Sequence, residues 1–191
     1  MTPNPVLEAG AALVAMPVNR RRWLCGCASL AALALAGCGK SEGEAATVAA
    51  RDFAPHTSCS LDGMLLADYP GPKGQILYRG TSEPAFFCDT VELLSSLIKP
   101  EQVRPVAGAW VQDMARTDWD RPAGAWIEAR SAHFVLGSRR HGSMGPTAAS
   151  FASADAAQAF AQQWGGKVVA YAQITPEQVD LSGGALHDSR M

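Results

Sequence analysis

The segment from Cys88 to Ile98 reads CDTVELLSSLI, and it predicts the first helix of the chain. Its apolar residues recur at helical spacing and share one face, formed by Val91, Leu94 and Leu97 or Ile98. Asp89 or Thr90 can cap the start of the helix, and Pro100 ends it. A short amphipathic helix of this kind needs a sheet to pack against, so the strands around it decide the fold.

Three short strands are predicted around this helix: Met64–Asp68, Gln75–Arg79 and Val106–Met114. The first two are separated by Tyr69-Pro70-Gly71-Pro72, which is a strong turn signal. The order strand, strand, helix, strand defines a first ββαβ unit over residues 57–115.

The second half of the chain repeats this order. A helix over Ala154–Trp164 begins after the capping residue Ser153 and ends at Gly165-Gly166. The strands around it are predicted at Ala132–Leu136, Thr147–Phe151 and Val168–Ile174. Because a single unit of about 50 residues would be marginally stable alone, we expect the two units to pack together.

We therefore predict an α+β fold in which two tandem ββαβ units with small antiparallel sheets share one core. The second unit spans residues 116–182, and residues 183–191 form a flexible tail.

The N-terminal region has the layout of an export signal. Arg20 to Arg22 form a basic segment, and an apolar run over residues 23–36 follows it. This run is too short to span a bilayer, which needs about 20 residues. It ends in Leu35-Ala36-Gly37-Cys38, which resembles a bacterial lipobox, although an ordinary cleaved signal that holds a cysteine is the alternative.

The lipobox resemblance implies a signal peptide over residues 1–37 and a lipid on Cys38, the first residue of the mature protein. Residues 38–56 would form a flexible, lipid-anchored tether. The predicted location is the periplasm, and Gly39 in place of Asp after the lipidated cysteine favours the outer membrane.

The charge of the chain argues against nucleic acid as a partner. The formal net charge is −2, and removal of residues 1–37 takes away three arginines and one glutamate, which leaves −4. The mature protein is mildly acidic and has no basic stripe, so we predict no nucleic-acid binding. Membrane association would then come from the lipid anchor rather than from charge.

Only two cysteines remain to be explained after processing. The chain has five cysteines, of which Cys25 and Cys27 leave with the signal and Cys38 carries the lipid. Cys59 and Cys88 can form a disulfide, which would close a loop of about 30 residues and contribute about 3–4 kcal/mol. Alternatively, both stay reduced as ligands of a soft metal ion.

Two groups of soft donors favour the metal. Cys59 and Met64 lie within six positions of each other, with Asp62 between them, and His141 and Met144 lie in a glycine-rich turn of the second unit. Thiolate, thioether and imidazole ligands together suit Cu(I). Each residue also has a purely structural interpretation, with Met64 in the core and His141 as an exposed loop side chain.

The sequence contains no motif of nucleophilic, phosphate-binding or zinc-hydrolase chemistry. Cys59 and Cys88 with Asp62 or Asp89 are formally sufficient for an organomercurial lyase, which needs paired thiols beside a proton donor. We nevertheless predict that the protein is not an enzyme.

Several motifs in order resemble the NosL family of copper chaperones for nitrous oxide reductase assembly. They are Cys59-x-x-Asp62-Gly63-Met64, Tyr69-Pro70-Gly71-Pro72-Lys73-x-Gln75, Phe86-Phe87-Cys88-Asp89-Thr90-x-Glu92 and Met144-Gly145-Pro146. The resemblance covers nearly all of residues 57–175 and includes the lipoprotein signal.

The resemblance implies a periplasmic, lipid-anchored Cu(I) metallochaperone. Its copper ligands would be Cys59, Met64 and Met144, with His141 as an optional further ligand. The recipient would be nitrous oxide reductase or its membrane-bound maturation machinery. Many relatives have a second cysteine where this chain has Asp62, which favours a mixed Cys/Met/His site here.

Overall fold

Two helices and two small antiparallel sheets organise the residues that the computed structural model describes, 48–99 and 101–181. The predicted signal, Cys38, most of the tether, Pro100 and the tail at 183–191 lie outside these residues. The first part contains β1 (Gly74–Tyr78), β2 (Ala85–Phe87), α1 (Thr90–Ile98), β3 (Val106–Gln112) and β4 (Trp126–Glu128). The second part contains β5 (His133–Leu136), β6 (His141–Gly142), β7 (Gly145–Pro146), β8 (Ala149–Phe151), α2 (Ala154–Trp164) and β9 (Lys167–Ala170).

Each sheet follows the same strand order. The first sheet runs β2-β1-β3-β4 and the second runs β8-β5-β9, with all pairs antiparallel. In both, the first strand of the ββαβ unit lies between the second strand and the strand that follows the helix. The predicted α+β class is confirmed. Strands β6 and β7 form a small hairpin that belongs to neither sheet. Strand β4 lies in the range predicted for the second unit and pairs with β3.

The strand predicted at Met64–Asp68 is wrong. Leu66–Asp68 forms a short 3-10 helix, and only an isolated bridge joins Ser58 to Leu65. The first unit instead takes its second strand from Ala85–Phe87, which pairs with β1. Three residues are too few to show an alternating pattern, so this strand has no signal in the local sequence.

The helix predictions are confirmed at both positions. Asp89 caps α1 by accepting a hydrogen bond from the Val91 N–H at 2.9 Å, and Ser153 caps α2 by accepting one from Ala156 at 3.2 Å. Gly165 ends α2 with φ of +77°, a left-handed conformation that favours glycine.

The two units share their main hydrophobic core, as predicted. Its fully buried members include residues of both sheets and of α1: Ile76, Leu93, Leu94, Val111 and Phe134. A second cluster lies under α2 and contains Trp119, Val135 and Phe151. Burial of one such large side chain contributes about 1.5–3 kcal/mol, so the shared core stabilises the pair of units.

Neither α1 nor α2, nor any shorter helix within residues 48–99 and 101–181, is long and apolar enough to cross a membrane.

Candidate metal centre

A tight loop before β1 brings Cys59 and Met64 together through the backbone. The Cys59 N–H donates to the Met64 carbonyl at 2.7 Å, and the Gly63 N–H donates back to the Cys59 carbonyl at 3.0 Å. Gly63 has φ of +81°, so the turn depends on a residue that accepts the left-handed region. The side chain of Met64 packs against the buried cluster that contains Cys59 and Cys88.

The N-terminus of α1 presents a second cysteine and a carboxylate to the same place. Cys88 immediately precedes the N-cap residue Asp89, and the Asp89 N–H donates to Oε2 of Glu92 at 3.2 Å. This reciprocal arrangement is a capping box, in which the third helical residue turns back over the start of the helix. Glu92 is therefore directed at Cys88 by local helix geometry.

Four side chains meet at this point, and we call them the thiol–carboxylate cluster: Cys59, Asp62, Cys88 and Glu92. One donor atom from each lies within 4.8 Å of all the others. Oε2 of Glu92 lies 3.3 Å from Sγ of Cys59 and 3.3 Å from Sγ of Cys88. Oδ2 of Asp62 lies 3.7 Å from Sγ of Cys88.

The cluster is buried on one side and open on the other. Cys59, Cys88 and Glu92 are 4%, 0% and 1% exposed, whereas Asp62 is exposed. Both cysteines are free thiols in the structure, so the disulfide considered above is not formed. Asp62 is thus the one member of the cluster that is exposed to solvent in the described part of the chain.

The two thiols of the cluster are shifted in pKa in opposite directions. A hydrogen bond from Cys88 lowers the pKa of Cys59 to about 6, and this effect exceeds the opposing effect of burial. The same hydrogen bond, together with burial, raises the pKa of Cys88. Of the two thiols, Cys59 therefore loses its proton more readily. A thiolate is the form of cysteine that binds metal ions.

Glu92 holds a proton near neutral pH. Burial raises its pKa to about 8, and the charge of Cys59 adds to this shift. A neutral carboxyl group avoids a second buried negative charge beside the thiolate.

Lys73 is hydrogen-bonded to the backbone beside the cluster. It is fully buried, and its Nζ donates to the carbonyls of Tyr69, Pro70 and Cys88 at 2.8, 3.0 and 3.0 Å. Burial lowers the pKa of Lys73, and the nearby carboxyl and thiol groups, Asp89 foremost, oppose that shift. Lys73 therefore fastens the turn before β1 to the backbone of Cys88.

The second unit reaches the cluster through the hairpin of β6 and β7. Ser143 lies at its turn and donates a hydrogen bond from Oγ to Sγ of Cys88 at 3.2 Å. The next residue, Met144, is 42% exposed. His141 is exposed, and its carbonyl accepts a hydrogen bond from Nε1 of Trp119 at 3.1 Å.

The sequence profile of the NosL family matches residues 50–179. The chain belongs to the NosL family. Two similar proteins are each named copper-binding lipoprotein NosL. The one from Stutzerimonas stutzeri is 36% identical over 167 residues, which cover 84% of this chain and 86% of that protein. The one from Achromobacter cycloclastes is 40% identical over 153 residues, which cover 78% of this chain and 79% of that protein.

The fold agrees with a solved NosL structure. The crystal structure of the copper chaperone NosL from Shewanella denitrificans has 38% sequence identity and a TM-score of 0.64, and covers 66% of this chain and 96% of that one. These NosL names describe copper binding and chaperone action, and none of them names a catalysed reaction.

In this NosL-family protein, the four ligands predicted from the sequence differ in how close the fold brings them to the thiol–carboxylate cluster. Cys59 lies in the cluster, and Met64 packs against it. Met144 adjoins the residue that touches Cys88, whereas His141 lies on the exposed side of β6. These ligand assignments remain predictions.

Sequence reasoning named Cys88 as a disulfide partner or, alternatively, a reduced ligand of a soft metal ion. It named Asp62 as a departure from its relatives and a formal proton donor, and Glu92 only as part of a motif. The spacing Cys88-x-x-x-Glu92 carried a usable signal, because residues four apart on a helix are neighbours.

Proposed function

We propose that the protein is a lipid-anchored, non-catalytic Cu(I) metallochaperone of the periplasm, which delivers copper for the assembly of nitrous oxide reductase. The observation that carries this proposal is the pair of free cysteines that lie together with Glu92 and the exposed Asp62, with the pKa of Cys59 lowered. The names of the NosL relatives support copper as the ion. Soft sulfur donors favour the Cu(I) state.

The proposed ligands are the thiolate of Cys59 and the thioethers of Met64 and Met144, with His141 as a further ligand. The position of Cys88 makes it an additional candidate, because its Sγ belongs to the same cluster. Cu(I) binds two to four soft ligands and imposes no rigid geometry. The carboxyl groups of Asp62 and Glu92 are hard donors, so we assign them to the surroundings of the ion and not to its coordination.

Copper transfer would proceed by ligand exchange. Met144 and Asp62 are exposed, so an incoming sulfur or imidazole ligand of the partner can approach the ion on that side. A low coordination number lets the new ligand bind before the old ones leave, so no free copper is released. The lipid on Cys38 would hold the carrier beside its membrane-bound recipient and raise its effective concentration there.

The metal site is tested by titration of Cu(I) into the reduced soluble domain, in competition with a chromophoric chelator. We expect one tight site, and Cys59→Ser and Met144→Ala should each weaken it. The matched control is Met114→Leu, since Met114 packs in the cluster under α2. Parent protein without a tight site, or Cys59→Ser protein that binds as tightly as the parent, would contradict the proposal.

The anchor and the delivery step are tested separately. Cells that express Cys38→Ser should release the protein from the outer-membrane fraction into the soluble periplasm, and metabolic labelling with a fatty acid should disappear. Delivery is tested by incubating the loaded protein with copper-free reductase and its maturation complex. Copper should move to that assembly at a rate above that of a matched copper–chelator complex. If the chelator delivers copper equally well, the chaperone role is contradicted.

A further inference from the structure

The hairpin that carries Met144 is too small to hold its own position. Its strands, His141–Gly142 and Gly145–Pro146, pair at only two positions. Pro146 has no N–H to donate, and an isolated two-stranded hairpin is at best marginally stable in water. Contacts with the rest of the fold must therefore determine where Met144 lies.

Besides the hydrogen bond from Trp119 to the His141 carbonyl, three of those contacts meet at the start of α1, at Cys88, Asp89 and Thr90. Ser143 donates to Sγ of Cys88 at 3.2 Å, and Oγ1 of Thr147 donates to Oδ1 of Asp89 at 2.6 Å. Thr90 Oγ1 donates to the carbonyl of Ala148, close after the hairpin. The turn is thus attached to a thiol of the cluster, and the two residues that follow the hairpin are attached to Asp89 and Thr90.

Gly142 lets the hairpin come this close. A Cβ atom at residue 142 would lie 2.0 Å from Oδ2 of Asp89, a distance that real Cβ atoms do not show, and 3.0 Å from Cβ of Thr147, which is a tight contact. Gly142 does not have a left-handed φ, so its backbone alone would accept alanine. The requirement for glycine is therefore the absence of a side chain against the Asp89 carboxyl group.

The burial of the Asp89 carboxyl group costs more free energy than a helix cap requires. Asp89 is 1% exposed, and its Oδ2 has no hydrogen-bond partner among the described residues. Serine caps the equivalent helix α2 without any buried carboxyl group. A buried carboxyl oxygen without a partner costs free energy, so its retention calls for a reason beyond the cap.

We propose that Asp89 and Gly142 are positioning residues that seat the β6–β7 hairpin on α1 and thereby hold Met144 within reach of the Cys59–Cys88 thiols. Copper would then be bound by both units only while the hairpin is seated. This inference rests on the proposed function, because it assigns a task to Met144 as a ligand. It predicts that changes at residues 142 and 147 act on copper through Met144.

The test is a double-mutant cycle on Cu(I) affinity, measured with the full soluble domain by chelator competition. Gly142→Ala is made in the parent and in the Met144→Ala background. We expect Gly142→Ala to weaken binding about tenfold in the parent and by less than about twofold in the Met144→Ala background. X-ray absorption on the Gly142→Ala protein should count one sulfur ligand fewer than on the parent.

Two further variants separate positioning from general damage. Gly108→Ala is the matched control, because a Cβ there would lie 2.3 Å from the Trp110 ring, on β3, and it also lacks a left-handed φ. It should lower the free energy of unfolding without changing copper affinity. Thr147→Val removes the hydrogen bond to Asp89 and should weaken copper binding, whereas Thr147→Ser should restore it; this pair serves if Gly142→Ala does not fold.

The outcomes are distinct. Equal losses from Gly142→Ala in both backgrounds, or no loss in the parent, would overturn the inference, since the hairpin would then not act through Met144. A Met144→Ala protein with full affinity and unchanged sulfur count would overturn it as well, and would remove Met144 from the ligand set. Failure of the metallochaperone proposal is recognised separately, by a parent protein that binds no copper.

Discussion

The helices α1 and α2 both begin after a capping side chain, but they differ in the side chains that they bury. Both have an oxygen-bearing N-cap residue, Asp89 for α1 and Ser153 for α2, and both follow a hairpin of the same strand order. The first two turns of α1 bury polar and charged side chains, including Glu92, beside two thiols. The helix α2 buries only Ala157.

This difference distinguishes the features that the ββαβ fold requires from the features that belong to the candidate metal centre. The ββαβ order appears in both units, so the fold itself needs neither cysteine nor buried carboxyl groups. In the second unit an aromatic cluster lies under α2, in which Phe160 stacks on Trp119, with ring centroids 5.4 Å apart. The predictions that follow treat the second unit as the structural reference for the first.

The largest expected effect concerns the cysteines. Cys59→Ser and Cys88→Ser should each weaken Cu(I) binding by about a hundredfold or more, because a hydroxyl group is a poor ligand for a soft ion. Chelator competition under reducing, oxygen-free conditions measures this. Ser153→Ala, at the start of α2, should leave the affinity unchanged. Full affinity in either serine variant would remove that cysteine from the site.

The next effect compares the two helix caps by their contribution to stability. Ser153→Ala should cost about 1 kcal/mol of the free energy of unfolding, the usual value for a lost cap. Asp89→Ala should cost about 2–4 kcal/mol, since it also leaves the buried Thr147 hydroxyl without its acceptor.

Urea denaturation at a fixed pH measures both variants, with unchanged m-values as the check on two-state behaviour. Equal costs at the two caps would mean that Asp89 does no more than start its helix.

A third prediction concerns the ionisation of Cys59. Its pKa is lowered to about 6, so the folded protein should gain one thiolate as the pH rises through about 6, well below the range of an ordinary thiol. Thiolate absorbance in the ultraviolet measures the midpoint. In Cys88→Ala the hydrogen bond that lowers the pKa is gone, so the midpoint should move upward.

The sign of the associated stability change follows from the same pKa. Because the folded state releases this proton more readily than the unfolded state, Cys59 contributes stability that is full above about pH 9 and is lost as the pH falls through about 6. A parent midpoint in the ordinary thiol range would contradict the shared-proton arrangement of the two cysteines.

Local signals explain what could be predicted, and long-range contacts explain what could not. Both helices were recognisable because their caps and apolar spacing lie within about a dozen residues. The strand Ala85–Phe87 acquires its structure only by pairing with β1. Met64 was predicted to begin a strand, but the Cys59–Met64 turn closes through backbone hydrogen bonds that the apolar pattern does not encode.

The same distinction applies to the site. Cys59 could be singled out because it is one of two cysteines left to explain after the predicted processing, and because Met64 lies close to it in the sequence. Lys73 and Glu92 are charged residues, which normally lie on the surface, and nothing in their immediate neighbours indicates full burial. Their roles depend on residues that approach only in the folded chain: Glu92 meets Cys59, 33 positions earlier, and Lys73 meets the backbone of Cys88, 15 positions later.

The smallest expected effect is that of Ser143, the residue through which the second unit touches a thiol of the first. Its hydroxyl group donates to Sγ of Cys88 and lowers the pKa of that cysteine, in opposition to burial. Ser143→Ala should therefore raise the proton affinity of Cys88 and weaken Cu(I) binding about threefold at neutral pH, with a smaller loss at high pH, where protons no longer compete. Ser143→Thr keeps the hydroxyl group and should bind as the parent does. Unchanged affinity in Ser143→Ala at every pH would mean that the hairpin touches Cys88 without influencing it, and would leave the first unit to set the properties of its thiols alone.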